Sequence, residues 1–140
     1  MPGNSFQNAQ TPQALYAASA GTLHLLNDTD RSTSWNVSIN PSTSWDDLDL
    51  SGQVPKGTKA LYGYMRVSNT DVRAIILIRD GNSATTDNFQ TQSIDHGDGV
   101  NDDIGYPAII KATDGEFSIK EYDGTFEGYA FNFQLWGWFI

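Results

Sequence analysis

From Thr22 onward the chain breaks into short segments of alternating apolar and polar residues, separated by clusters of Gly, Pro, Asn, Asp and Ser. A repeat of two marks a strand with one buried face. Trp35-Asn-Val-Ser-Ile39 shows it, and Pro41 ends that run. Lys59 to Val67 shows it most clearly: Leu61, Gly63, Met65 and Val67 fall on one face, Tyr62, Tyr64 and Arg66 on the other. Further strands are expected over Thr22–Leu26, Trp45–Leu50, Val72–Arg79, Phe89–Ile94, Tyr106–Ala112, Glu116–Tyr122 and Gly128–Ile140. Ser68-Asn-Thr-Asp71 reads as the turn of a hairpin joining Lys59–Val67 to Val72–Arg79, and Thr113-Asp-Gly115 as the turn of a second. Long helical periodicity is missing.

Eight or nine short strands at regular spacing predict an all-β domain, an antiparallel β-sandwich of jelly-roll-like architecture over residues 22–140. Residues 1–14 are rich in Gln, Asn and Pro, and an extended N-terminal arm is expected over residues 1–21. Within it, Thr11 before Pro12 can cap a short helix that runs to Ala20 and stops at Gly21. No apolar stretch follows a basic region there, so no secretory leader is expected.

The last strand carries the most informative pattern. Strict alternation puts Phe131, Phe133, Leu135 and Phe139 on the core face. The opposite face starts polar, with Asn132 and Gln134, then turns apolar at Trp136, Trp138 and Ile140. A solvated outer face stays polar, so this end is expected to be covered. The cover is either intrachain, with Leu15 and Tyr16 as candidates, or a neighbouring subunit. Trp136, Trp138 and Ile140 are therefore candidate interface residues, joined by the outward pair Tyr62 and Tyr64. Those two tyrosines read as cross-strand packing, an interface, or a sugar-stacking platform.

Charge and composition narrow the chemistry. The 140 residues suit one domain, and they include 17 acidic and 8 basic residues, a formal charge of −9. The basic residues form no run, which argues against nucleic acid or an anionic membrane as partner. There is no cysteine, hence no disulfide, thiolate metal site or Cys nucleophile. His24 and His96 are the two histidines. His24 falls in an expected strand and His96 in an expected turn, and no Gly-x-Ser-x-Gly elbow accompanies them. No catalytic residue is nominated. Asp95 to Asp103 reads as an acidic loop. Asp95, Asp98 and Asp102 in it are candidate Ca²⁺ ligands, set against the plainer reading of a solvated acidic surface.

Two segments resemble small β-sandwich virion proteins of tailed bacteriophages. One is Asp47-Leu-Asp-Leu-Ser-Gly-Gln-Val-Pro-Lys-Gly-Thr-Lys-Ala-Leu-Tyr62, an acidic-apolar strand, a Val-Pro-x-Gly turn and an aliphatic strand. The other is Phe133-Gln-Leu-Trp-Gly-Trp138, similar to the last strand of those domains. With the strands between them, the resemblance covers roughly residues 45 to 140. It implies a capsid cement (decoration) protein, or a tail or fibre domain that binds host glycans. It also implies a homotrimer, contact with the major capsid protein, assembly into the virion in the host cytoplasm, and no catalytic residues or cofactor. A free carbohydrate-binding module is the alternative from a different class.

Overall fold

The structure, a computed structural model, describes residues 21–68, 74–81, 92–96, 103–121 and 130–140. The expected arm up to Ala20, the helix expected in it and the candidates Leu15 and Tyr16 lie outside the described residues. Among those described there are nine strands and no helix: β1 (Leu23–Leu25), β2 (Val37–Ile39), β3 (Asp46–Asp49), β4 (Ala60–Ser68), β5 (Ala74–Asp80), β6 (Gln92–His96), β7 (Asp103–Lys111), β8 (Glu116–Glu121) and β9 (Ala130–Phe139). They form two antiparallel sheets, a β-sandwich. The larger sheet runs β1-β9-β4-β7, with β2 beside β9 as well; the smaller runs β3-β8-β5-β6.

The pairing is nested. β1 and β2 share one edge of β9 end to end, β3 pairs with β8, β4 with β7 and β5 with β6. Both hairpins expected from the sequence are thereby corrected. β4 and β5 enter different sheets, and so do β7 and β8. β4 has nine residues and lies between the ten of β9 and the nine of β7, so its two edges are filled by partners of matching length. A short turn carries the chain across the sandwich as readily as back along one sheet, and the period-two pattern reports a strand's buried face, not its neighbour.

The core lies between the sheets. Leu61, Met65, Val67, Ala108, Ile110, Phe131, Phe133 and Leu135 face Leu48, Ile76, Ile78, Phe117 and Ile119. Phe117 and Phe133 meet across the layers edge-to-face, with centroids 6.1 Å apart. Tyr106 packs at the core margin opposite Met65. Burial pushes its phenol above the ordinary tyrosine range by desolvating the anion.

A raised folded-state pKa makes a sign prediction. The stability that Tyr106 contributes is fully present below the unfolded value of about 10 and is lost as pH rises through the folded value. Tyrosinate absorbance should therefore show a late-titrating phenol, absent in Tyr106→Phe. A Tyr106→Phe titration that keeps its last step would refute the assignment.

Three of the four sheet edges of the described strands carry blunting residues in their sequence. β3 bears Asp46, Asp47 and Asp49, β6 bears Asp95, and β7 bears Pro107, a residue tolerated at an edge because it donates no ladder bond. β1, with the sequence Leu-His-Leu, has neither acid nor proline.

Candidate functional site

The site is built by a break in the register of β9. Tyr62 pairs with Gly137 but Gly63 pairs with Leu135, which leaves Trp136 without an opposite residue. Such a bulge places two successive side chains on one side and inverts the alternation beyond it. Two consequences correct the sequence reading. Trp138 stands opposite Leu61 and packs against the main core. Phe139 stands opposite Ala60 and joins a separate outer cluster with Tyr62 and Ile109. The expected faces of these two residues are exchanged. The signal for it was Gly137, since an interior glycine in a strand marks a bulge.

The bulge also interrupts the edge that β1 and β2 share. Backbone groups there find substitutes, as buried polar groups require. Leu135 N donates to the Asn36 side-chain oxygen at 2.8 Å, and Leu26 N donates to Trp136 O at 2.8 Å. Asn36 is held in turn by Gln53 Oε1 at 2.5 Å. Between β1 and β2, residues 27–36 fold over the outer face of the larger sheet. Ser32 O accepts from Gln134 Nε2 at 2.7 Å, and Gln134 Oε1 accepts from Trp136 Nε1 at 3.2 Å.

The result is a row of half-buried aromatic rings. Trp35 and Tyr64 are near-parallel, with centroids 6.2 Å apart and planes 19° apart. Tyr64 and Trp136 follow at 5.8 Å and 23°. Tyr62 meets Trp136 edge-on at 67°. Arg66 lies over Trp35 and Arg31 over Trp136, each at 5.8 Å. Arg31 is also paired with Asp28. Gly105 shows how Tyr64 is laid. A Cβ at Gly105 would fall on the Tyr64 hydroxyl and 2.6 Å from its Cζ. The ring therefore spans from β4 to β7 along the sheet instead of standing away from it.

Of the two covers the sequence leaves open for the last strand, an intrachain one is present at Gln134 and Trp136, from Ser32 and Arg31 of the β1–β2 connection and not from Leu15 or Tyr16, with Trp35 beside them on Tyr64. Trp35 was expected on a core face with Val37 and Ile39. Only Val37–Ile39 joins the sheet, and Trp35 turns onto the outer row. Of the five interface candidates, Tyr62, Tyr64 and Trp136 come together in this row. Trp138 turns inward and stacks on His24, with centroids 6.1 Å apart and planes 14° apart. Ile140 lies apart and is 39% exposed.

The remaining candidates are dispersed. Asp95 and His96 belong to β6, paired with Ile75 and Ala74, and Asp103 opens β7, so the acidic connection is shorter than the expected loop. Ladder pairing draws its ends into strands. Asp98 and Asp102 lie outside the described residues. Among the described residues no cluster of three His, Cys, Asp or Glu side chains has the arrangement to hold a metal.

A shallow depression of about 290 Å³ is lined by Ser51, Lys56, Asp114 and Glu116. Its Asp114 holds a turn: Asp114 Oδ1 accepts from Gly57 N at 2.6 Å. Nearby, hydrogen bonds from the Ser51 hydroxyl and amide keep the exposed Asp49 carboxyl below its ordinary pKa. On the outer side of the smaller sheet Trp45 covers Arg79, whose guanidinium carbon lies 4.1 Å from the ring centroid.

No protein-family model matches this chain, and no curated protein matches it.

Proposed function

We propose that this chain is a non-enzymatic contact domain of a tailed-phage virion, a capsid cement protein that assembles with the shell in the host cytoplasm. The two segments that carry the resemblance support it by meeting in space. Ala60 to Tyr62 pairs with Gly137 to Phe139, so the Val-Pro-x-Gly turn and the Trp-bearing strand build one end of the sandwich. The nested strand pairing supports a jelly-roll winding. The resemblance implies a homotrimer seated on the major capsid protein, with no cofactor.

One observation carries the choice of contact surface. The exposed large apolar residues among those described are Leu23, Leu25 and Ile140. All three sit at one corner, where β1 lies along the end of β9 and Thr22 and Ile140 exchange backbone hydrogen bonds of 3.0 Å. This is also the edge without acid or proline. Burying such side chains yields up to roughly 1.5–3 kcal/mol each. A trimer multiplies the effect by holding its sites together. A protein that binds only the assembled shell stabilises that shell by mass action.

Leu25→Asp should reduce binding to expanded capsids of the encoding phage at least tenfold in a co-sedimentation assay. It should leave the melting temperature of the free protein nearly unchanged, because Leu25 is 64% exposed. Capsid binding at wild-type strength by Leu25→Asp and Leu23→Asp, or no capsid binding by the parent protein, refutes the reading. Light-scattering mass tests the trimer.

A further inference from the structure

We propose that the outer face of the larger sheet binds an uncharged saccharide chain, with Tyr64, Trp136 and Trp35 as its stacking surface. The inference rests on the reading of this chain as a contact domain, but not on the capsid as its partner; Leu23 and Leu25 lie on the same outer face, at its β1 end across Gly137 from Tyr62, and the inference uses the part of that face centred on Tyr64 and Trp136.

The geometry of the rings comes first. Tyr64 lies along the sheet, as the close approach of Gly105 requires, and Trp35 and Trp136 are within 19° and 23° of its plane. The three near-parallel rings follow one another at 6.2 and 5.8 Å, and each stays partly exposed. A pyranose presents an apolar patch of C–H bonds with partial positive charge, which complements the negative face of an aromatic ring. Tyr62, turned 67° from Trp136, forms a rim to the row. On the β7 side the surface is open, because Gly105 and Pro107 are exposed and raise no tall side chain.

The surface is also fixed in advance. Gln134 ties the Trp136 indole to the Ser32 carbonyl through two hydrogen bonds, and the bulge sets the direction of Trp136. Rings already held in place lose little side-chain freedom on binding, which is where many weak ligands lose affinity. Arg66 and Arg31 stand at the two ends of the row.

Charge selects among saccharides. The chain carries −9 overall, and that field disfavours an anionic polysaccharide at a distance. The outward positions that form the face are different. Between the Ser68–Asp103 pair at one end and Lys111 at the other, Ala60, Tyr62, Tyr64 and Arg66 of β4, Gly105, Pro107 and Ile109 of β7, and Asn132, Gln134 and Trp136 of β9 include no carboxylate, and Asp28 of the covering segment is already paired with Arg31. An uncharged polyhydroxylated chain therefore settles there without desolvating an acid, whereas burial of an unpaired carboxylate is costly.

The test is affinity electrophoresis of the full chain through native gels containing soluble polysaccharides. The panel holds neutral probes (a mixed-linkage β-glucan, a galactomannan and an α-glucan) and alginate as the acidic control. Retardation is expected in at least one neutral gel and not in alginate, with the dissociation constant raised at least tenfold in Trp136→Ala. Trp35→Ala, which changes a residue outside the strands, is the companion variant that leaves the sheet in place and should show the same loss. Leu25→Asp should be retarded like the parent. No retardation in any neutral gel, retardation in alginate alone, or equal retardation of both tryptophan variants overturns the proposal. Capsid co-sedimentation of the tryptophan variants separates the two readings. A site for saccharide leaves capsid binding intact, whereas loss of capsid binding without any saccharide binding shows that this face docks on protein.

Discussion

Replacing Phe133 with alanine is expected to remove about 3–5 kcal/mol of stability, the range for a large aromatic deleted from a tight core. Phe133 is fully buried. In β9 it stands opposite Val37 on one side and Met65 on the other, and its ring meets Phe117 of the facing sheet edge-on. It therefore joins three strands of one layer to the other layer. The ring also occupies the space beside Gly63 that a side chain would otherwise fill. Alanine leaves a hole that those neighbours cannot close, because each is held in its own ladder. Natural domains hold about 5–15 kcal/mol in total, so this single change consumes a large share of it. The melting temperature should fall by roughly 10–15 °C, on the scale expected for a chain of this size. Urea unfolding should give a lower midpoint with an unchanged slope, the sign of lost stability within a two-state transition. A loss under about 1 kcal/mol would show that the core closes around the missing ring and that Phe133 is not the junction of the layers.

What the sequence made legible was governed by the range of the interaction concerned. Strand positions depend on local alternation and turn residues, and each of the nine expected segments contains or overlaps an observed strand. Neighbours depend on distant partners. The turn after Ser68 had hairpin chemistry, yet β4 was already matched along both edges by β7 and β9. Nothing local to residues 59–79 carries that information.

Faces were legible only while the alternation ran unbroken. Phe131, Phe133 and Leu135 are in the core as expected. Past the bulge the same arithmetic points Phe139 and Trp138 the wrong way, because one residue without an opposite partner shifts all that follow. The site shows the same division. Tyr62, Tyr64 and Trp136 stood out because apolar residues on an outward face need a reason. Trp35 and Arg31 did not, since their place depends on how residues 27–36 fold across the sheet. The hydrogen bond from Leu135 N to Asn36 that anchors this fold joins residues 99 apart in the chain. Gly105 fell outside the strand expected over Tyr106–Ala112, and its role emerges only from the Tyr64 ring laid across it.

Gly63→Ala should cost about 3 kcal/mol, at the upper end for overpacking a core, although glycine to alanine within a regular strand is ordinarily favourable because it lowers the entropy of the unfolded chain. A Cβ at position 63 would point into the sandwich, 2.6 and 2.8 Å from Phe133 Cζ and Cε2, and would land on the Gln134 carbonyl oxygen. The ring has somewhere to go; the carbonyl does not. β9 is fixed on its far side by Asn36, which donates from its backbone N to Phe133 O at 2.9 Å and accepts from Leu135 N at 2.8 Å. Phe133→Leu separates the two contacts. It removes the ring clash and leaves the carbonyl clash, so the double variant should keep most of the Gly63→Ala loss, with a coupling energy within about 1 kcal/mol of zero. Position 63 is also where the register shifts. Displacing β9 there should turn Trp136 and change the near-ultraviolet circular dichroism of the aromatic row, while the more distant core variant Ile78→Val leaves that signal as it is. Full rescue by Phe133→Leu would mean that the ring alone excludes a side chain from this position. Wild-type stability of Gly63→Ala would mean that the backbone of β9 yields freely at the bulge, and the case for a rigid, preset row of rings on the outer face would fall with it.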